Sequence, residues 1–147
     1  MELSLENLQI KRSNPIILGQ AGLPNNVERY HLRGMEMIGL DIFVEDKLTF
    51  LNIEGSQICE ITFFDNQGKC NSFTNKDFKG EANFRKYKFK EKNYENFIEK
   101  LKKKKFDFKN IKSLNIFNRE TISGDKIDFN VEKDGFILIA APGMDME

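Results

Sequence analysis

Hydrophobic positions recur at two spacings along this chain, and the spacing separates its elements. In "MIGLDIFV" the residues Ile38, Leu40, Ile42 and Val44 fall at every second position, which places them on one face of a strand. "KIDFNVE" repeats the pattern, with Ile127, Phe129 and Val131 on one side and Asp128, Asn130 and Glu132 on the other. "QICEITFFD" sets Cys59, Ile61 and Phe63 in phase, and "GFILIAA" is apolar throughout, as a strand buried on both faces requires. "KLTFL", "IKSLNIF" and "VERYH" ahead of Gly34 predict further strands.

The helical period occurs once. Tyr94, Phe97, Ile98 and Leu101 stand at i, i+3, i+4 and i+7, which makes a single apolar stripe and predicts a helix over about 93–105. Asn93 suits its N-cap, and the lysines of residues 102–105 suit the negative end of its dipole.

Turn residues divide the rest. "NIEGSQ" between two β-rich runs predicts a hairpin of "KLTFLN" with "QICEITFFD". Residues 1–26 open with a short helical turn and continue through Pro15, Gly19, Gly22 and Pro24, which predicts an irregular N-terminal arm laid on a β-rich domain over 27–147. Residues 69–90 read as a polar surface excursion with spaced aromatics. There is also an internal echo: "EDKLTFLNIEG" at 45–55 and "GDKIDFNVEKDG" at 124–135 share a turn, an aliphatic residue, a Phe and a glycine exit. Two equivalent hairpins would suit a small barrel or sandwich, although turn-then-strand patterns of this kind are common in β proteins. The fold class that follows is mainly β, a small β-barrel or sandwich with one amphipathic helix packed on it.

Composition changes the picture in three ways. At 147 residues the chain is one domain's worth and can bury a conventional core without disulfide or metal support. No apolar run reaches the roughly 20 residues that cross a bilayer, and the first residues lack the pattern of a signal peptide, which predicts a cytoplasmic protein with no membrane partner. The charge is zero overall but divided, since residues 84–112 hold 12 Lys or Arg against 4 Asp or Glu, a net +8 that leaves −8 elsewhere. Such a split favours an anionic partner for the basic segment.

Candidate chemistry is sparse. Cys59 sits in phase with core residues and reads as a small buried hydrophobe; Cys70 reads as an incidental cysteine after a turn, the alternative being a thiolate favoured by the charge of the adjacent Lys69. Two cysteines 11 apart and one histidine do not make a zinc site, and no cofactor motif is present. His31 shares its phase with Arg29 and Arg33 on the polar side of "VERYHLR" and is a candidate ligand-binding residue, as are Gln57 and Glu60. An enzymatic reading would place a small-molecule site near Gln57 and Glu60, with Glu60 or His31 as acid or base. A second alternative, disfavoured because lysine rather than arginine dominates, is nucleic-acid binding through Lys86, Lys88, Lys102, Lys103, Lys104 and Lys105 with interleaved rings.

The run "GLDIFVEDKLTFLNIEGSQICEITFFDNQGK", through Glu54, Gly55, Ser56 and Gln57 and the strand ending at an Asx-Gly turn, resembles the urea-carboxylase-associated domain of unknown function. "DGFILIAAPGMDM", with Pro142 and Gly143, is similar to the late strand of that family, and the first 30 residues resemble the extension that precedes T-protein-like aminomethyltransferases. The resemblance implies a β-rich, barrel-like accessory domain in nitrogen or one-carbon metabolism, fused or adjacent to an aminomethyltransferase domain and without a reaction of its own. The family continues with a further strand where this chain stops at Glu147, which implies either a longer natural protein or a strand edge open to a partner.

Overall fold

The computed structural model describes residues 1–6, 16–18, 27–34, 36–82 and 99–141. They are mainly β, in two antiparallel sheets packed face to face. β1 (Glu2–Glu6), β3 (Val27–His31), β5 (Lys47–Leu51) and β9 (Lys126–Asn130) form a four-stranded sheet in the order β3-β1-β5-β9. β2 (Ile16–Leu18), β4 (Glu36–Ile42), β6 (Cys59–Asp65), β7 (Gly80–Glu81), β8 (Lys112–Phe117) and β10 (Gly135–Ala141) form a six-stranded sheet in the order β2-β4-β10-β6-β8-β7. The arrangement is a sandwich rather than a closed barrel.

Alternation decides what each face does. Leu3, Leu5, Leu48, Phe50 and Phe129 of the first sheet meet Ile38, Leu40, Ile42, Cys59, Ile61, Phe63, Ile137 and Ile139 of the second in one core cluster. Burying such side chains contributes about 1.5–3 kcal/mol each, and edge-on ring contacts such as Phe50–Phe129, centroids 5.8 Å apart, add to this. The outer face of the four-stranded sheet carries Lys47, Thr49, Asp128 and Asn130 and meets solvent. The outer face of the larger sheet carries an apolar patch, Met37, Phe64, Phe136, Leu138 and Ala140, covered by Leu101, Phe106, Phe108 and Ile111, with the buried Glu60 and Thr62 on the same face. β10 is therefore buried on both sides. Gly39 of β4 belongs to this layer: a Cβ there would lie 2.4 Å from Cζ of Phe136, so the ring rests directly on the backbone.

Several expectations change. The chain opens as a strand, not a helical turn, because Met1, Leu3 and Leu5 alternate into the core. β1 lies between β3 and β5, pairing Leu3 with Tyr30 and with Phe50. The rest of the expected arm, residues 7–15 and 19–26, lies outside the described residues. The helix of about 93–105 is described only at 99–102, where Leu101 is buried under the outer layer. It ends at Lys105, whose φ of 58° is the left-handed conformation that closes many helices. The excursion after Lys69 is anchored rather than loose: Phe73 is fully buried against Phe63, Phe78 and Phe129.

β5 and β6 do not form a hairpin. The chain leaves the smaller sheet at Leu51 and enters the larger one at Cys59, so the inward side chains of the two strands face each other across the core instead of lying side by side. β9 and β10 repeat this crossing. β5 pairs with β9, and β6 pairs with β10. The echo in the sequence is thus a pseudo-two-fold, with residues 43–52 matching 122–131 at a constant offset of 79.

Thr49 and its counterpart Asp128 sit opposite each other at the axis, and the Thr49 hydroxyl donates to Asp128 Oδ1 at 2.7 Å. The turns correspond bond for bond. Asp46 accepts from the Phe43 N–H and Asp125 from the Ile122 N–H, while Glu45 and Gly124 both adopt positive φ, 78° and 89°. Glu45 N–H donates to Val131 O as Gly124 N–H donates to Asn52 O.

Candidate functional site

β3 and β5 flank β1 and run the same way, so the segments that follow them emerge at one end of the four-stranded sheet. Between those segments lies a cleft of about 320 Å³. One wall is residues 31–34, the other residues 52–57, and Met1 lines the cleft as well. The first wall is fixed by short bonds: Leu32 N–H donates to Met1 O at 2.8 Å, the Met1 amine donates to Leu32 O at 3.0 Å, and Arg33 N–H donates to Glu36 Oε1 at 3.1 Å. Burial lowers the pKa of the Met1 amine, against the opposing pull of the Glu54, Glu2 and Glu36 carboxylates.

The second wall is organised by Asn52, which is fully buried. Its Oδ1 accepts from the Gly55 N–H at 2.9 Å and its Nδ2 donates to Gln57 O at 3.0 Å. Its backbone pairs with Asp125 O and with the Gly124 N–H. The turn it holds is braced from behind, since Ser56 N–H donates to Thr121 O at 2.7 Å and the Ser123 hydroxyl to Ile53 O. Gly55 has φ +83°, and a Cβ on it would lie 2.9 Å from Ser123 N. Glu54, Gly55, Ser56 and Gln57 therefore form the joint through which the chain changes sheets.

His31 and Gln57, predicted separately, line this same cleft. His31 is half-buried between the buried Tyr30 and Leu32, as the alternation of its strand requires. Gln57 points its amide along its own wall, Nε2 donating to Ile58 O at 2.8 Å. Glu60 is not with them. It shares a face with its partner Ala140 on the outer side of the larger sheet, opposite to Cys59 and Ile61, and is buried there. Glu60 is thereby removed as the acid or base of a site at Gln57, since alternation puts the two on different surfaces, while His31, the other candidate for that role, stays beside Gln57. Arg33 and Glu54 also line the cleft and were not among the candidates. Arg33 could have been found from its shared phase with His31, and Glu54 from its place in the turn.

The basic segment builds a different surface. Lys102, Lys103, Lys104 and Lys105 are exposed, whereas Lys86 and Lys88 lie outside the described residues. Lys104 and Lys105 border a second cleft of about 420 Å³, more open, whose other groups include Asp41 and Asp65. The rings nearby are taken up in packing: Phe106 stacks on Phe64 with centroids 4.4 Å apart, and Lys104 Nζ sits 4.9 Å above Phe136. Asp65 is likewise occupied, accepting from the Gln67 and Lys69 N–H groups and from Asn71 Nδ2. Its burial works against ionisation, but these bonds to Lys69, Asn71 and Gln67 outweigh it, and its pKa lies below the ordinary value.

Both cysteines are free. Cys59 is sealed in the core and its pKa is driven far up by burial. Cys70 is not held as an activated thiolate. Burial raises its pKa, and its Sγ is held between the backbone of Lys112, donating to the carbonyl at 3.2 Å and accepting from the N–H at 3.3 Å. Among the described residues no group of three or more His, Cys, Asp or Glu is placed to hold a metal ion, and no helix is long and apolar enough to cross a membrane.

Comparison with protein-family models, with curated proteins and with solved structures finds no match to this chain.

Proposed function

We propose that this domain binds a small molecule in the cleft at the end of the four-stranded sheet and acts as an accessory domain without catalysis of its own. The observation that carries the reading is the convergence of His31 and Gln57, from separate elements, on one cleft whose walls are fixed by backbone bonds and by Asn52. Prearranged polar groups around a concavity are what small-molecule recognition needs, because ordering them at the moment of binding would cost affinity. The separation of Glu60 from the cleft removes one of the two acid–base candidates of the enzymatic reading and leaves His31 as the other. Service to a fused or adjacent aminomethyltransferase in nitrogen or one-carbon metabolism rests on the family resemblance. Two free thiols, one sealed and one held by Lys112, suit a reducing cytoplasm.

The test is a fragment and metabolite panel, containing acids, amines, zwitterions and neutral polar compounds, observed in ¹H–¹⁵N spectra of the labelled protein. Binding at this site shifts the amides of residues 31–34 and 52–57 and leaves those of 104–106 in place. A panel that shifts none of the cleft amides removes the reading.

A further inference from the structure

The two walls of the cleft differ in charge. The wall of residues 31–34 carries Arg33, exposed at its edge, together with His31, and neither acid nor amide is present on it. The facing wall carries Glu54, also exposed, with the amides of Asn52 and Gln57. Ile53 adds an apolar surface on the second wall, 37% exposed and one of few large hydrophobic side chains that reach solvent among the described residues. A cleft of about 320 Å³ lies at the small end of the ~300–1,000 Å³ range of ligand pockets, which fits a metabolite.

We propose that the ligand is a zwitterion of amino-acid size, with its carboxylate toward Arg33 and His31, its ammonium toward Glu54, and an aliphatic portion against Ile53. The inference rests on the cleft being a ligand site and adds the chemical class. A ligand bearing only a carboxylate gains at the Arg33 wall and is repelled by Glu54; a ligand bearing only an amine meets the reverse. The zwitterion gains at both, and discrimination of this kind comes as much from the repulsion of the wrong ligand as from attraction of the right one. Arginine supplies a planar pair of donors matched to a carboxylate.

Leucine, 4-methylpentanoate and 3-methylbutylamine test this, since they share a side chain and differ only in which charged groups they carry. Titrations followed by amide shifts of Gly34 and Gly55 are expected to show leucine binding at least about tenfold more tightly than either single-charge analogue. Arg33→Ala and Glu54→Gln, both changes at exposed side chains, are each expected to weaken leucine about tenfold or more, as loss of a charge-assisted contact does. Spectral dispersion in each variant shows that it remains folded. Equal affinity for leucine and either analogue overturns the zwitterion while leaving the cleft a ligand site. So does silence from all three probes when a neutral compound of the wider panel shifts the cleft amides. Silence from every compound fails both readings together.

Discussion

Asp65 shows how a single side chain ties stability to pH. It closes the turn after β6 by accepting from two N–H groups and the Asn71 amide, and these bonds favour its ionised form. A carboxyl whose pKa is lower in the folded than in the unfolded state stabilises the fold above the ordinary Asp value of about 4, and that contribution is lost as the pH falls through the lowered value. Urea midpoints measured from pH 7 to pH 2.5 are therefore expected to separate the natural protein from Asp65→Asn at neutral pH and to converge in acid. A separation that persists unchanged at the lowest pH would show that packing, not charge, sets the difference. The sequence made part of this visible: "DNQG" announces a turn, and Asp at its first position is the usual reason. The bonds that hold the Cys70 Sγ were not visible, because its partner Lys112 is 42 residues away.

At the scale of elements, period-two patterns named the faces but not the neighbours or every end: Val44, in phase with Ile38, Leu40 and Ile42, lies past the end of β4 and is exposed. Leu48, Phe50, Cys59, Ile61 and Phe63 are all inward-facing, as their spacing requires, yet β5 and β6 belong to different sheets. A Gly-containing connection serves a hairpin and a crossing equally well in sequence. What selects the crossing is Asn52, which replaces a hairpin's cross-strand bonds with bonds to Gly55 and Gln57 while its backbone pairs with residues 124 and 125. Removing the side chain leaves a donor and an acceptor without it, each costing about 1–3 kcal/mol when buried. Asn52→Ala is expected to cost about 2–4 kcal/mol in urea unfolding and to broaden the amides of residues 53–57. A loss below about 0.5 kcal/mol would mean that the joint is held by Ser56 and Ser123 alone. β1 is the other element misread: Met1, Leu3 and Leu5 do alternate, but Leu8 and Ile10 extend the run at positions that blur the period.

For the whole molecule, the pseudo-two-fold means that neither repeat has a core of its own. β5 finds its partner in β9 and β6 in β10, and Phe50 and Phe129, equivalent under the offset, close on each other at the centre. The echo between 45–55 and 124–135 was legible in the sequence; its meaning was not, since composition and spacing do not say that two copies interlock rather than stand side by side. Interlocking predicts cooperative unfolding. Phe50→Ala removes a fully buried ring, a change that costs about 3–5 kcal/mol, and it is expected to lower hydrogen-exchange protection in β4, β6, β8 and β10 by the same amount. Pairings this distant in sequence also place folding in the millisecond-to-second range. Were the repeats separate units, Phe50→Ala would loosen β4 through β6 and leave the slowest-exchanging amides of β8 through β10 unchanged. Exchange rates in the two halves that fall together on Phe129→Ala as well would establish that a single cooperative unit carries the cleft at its end.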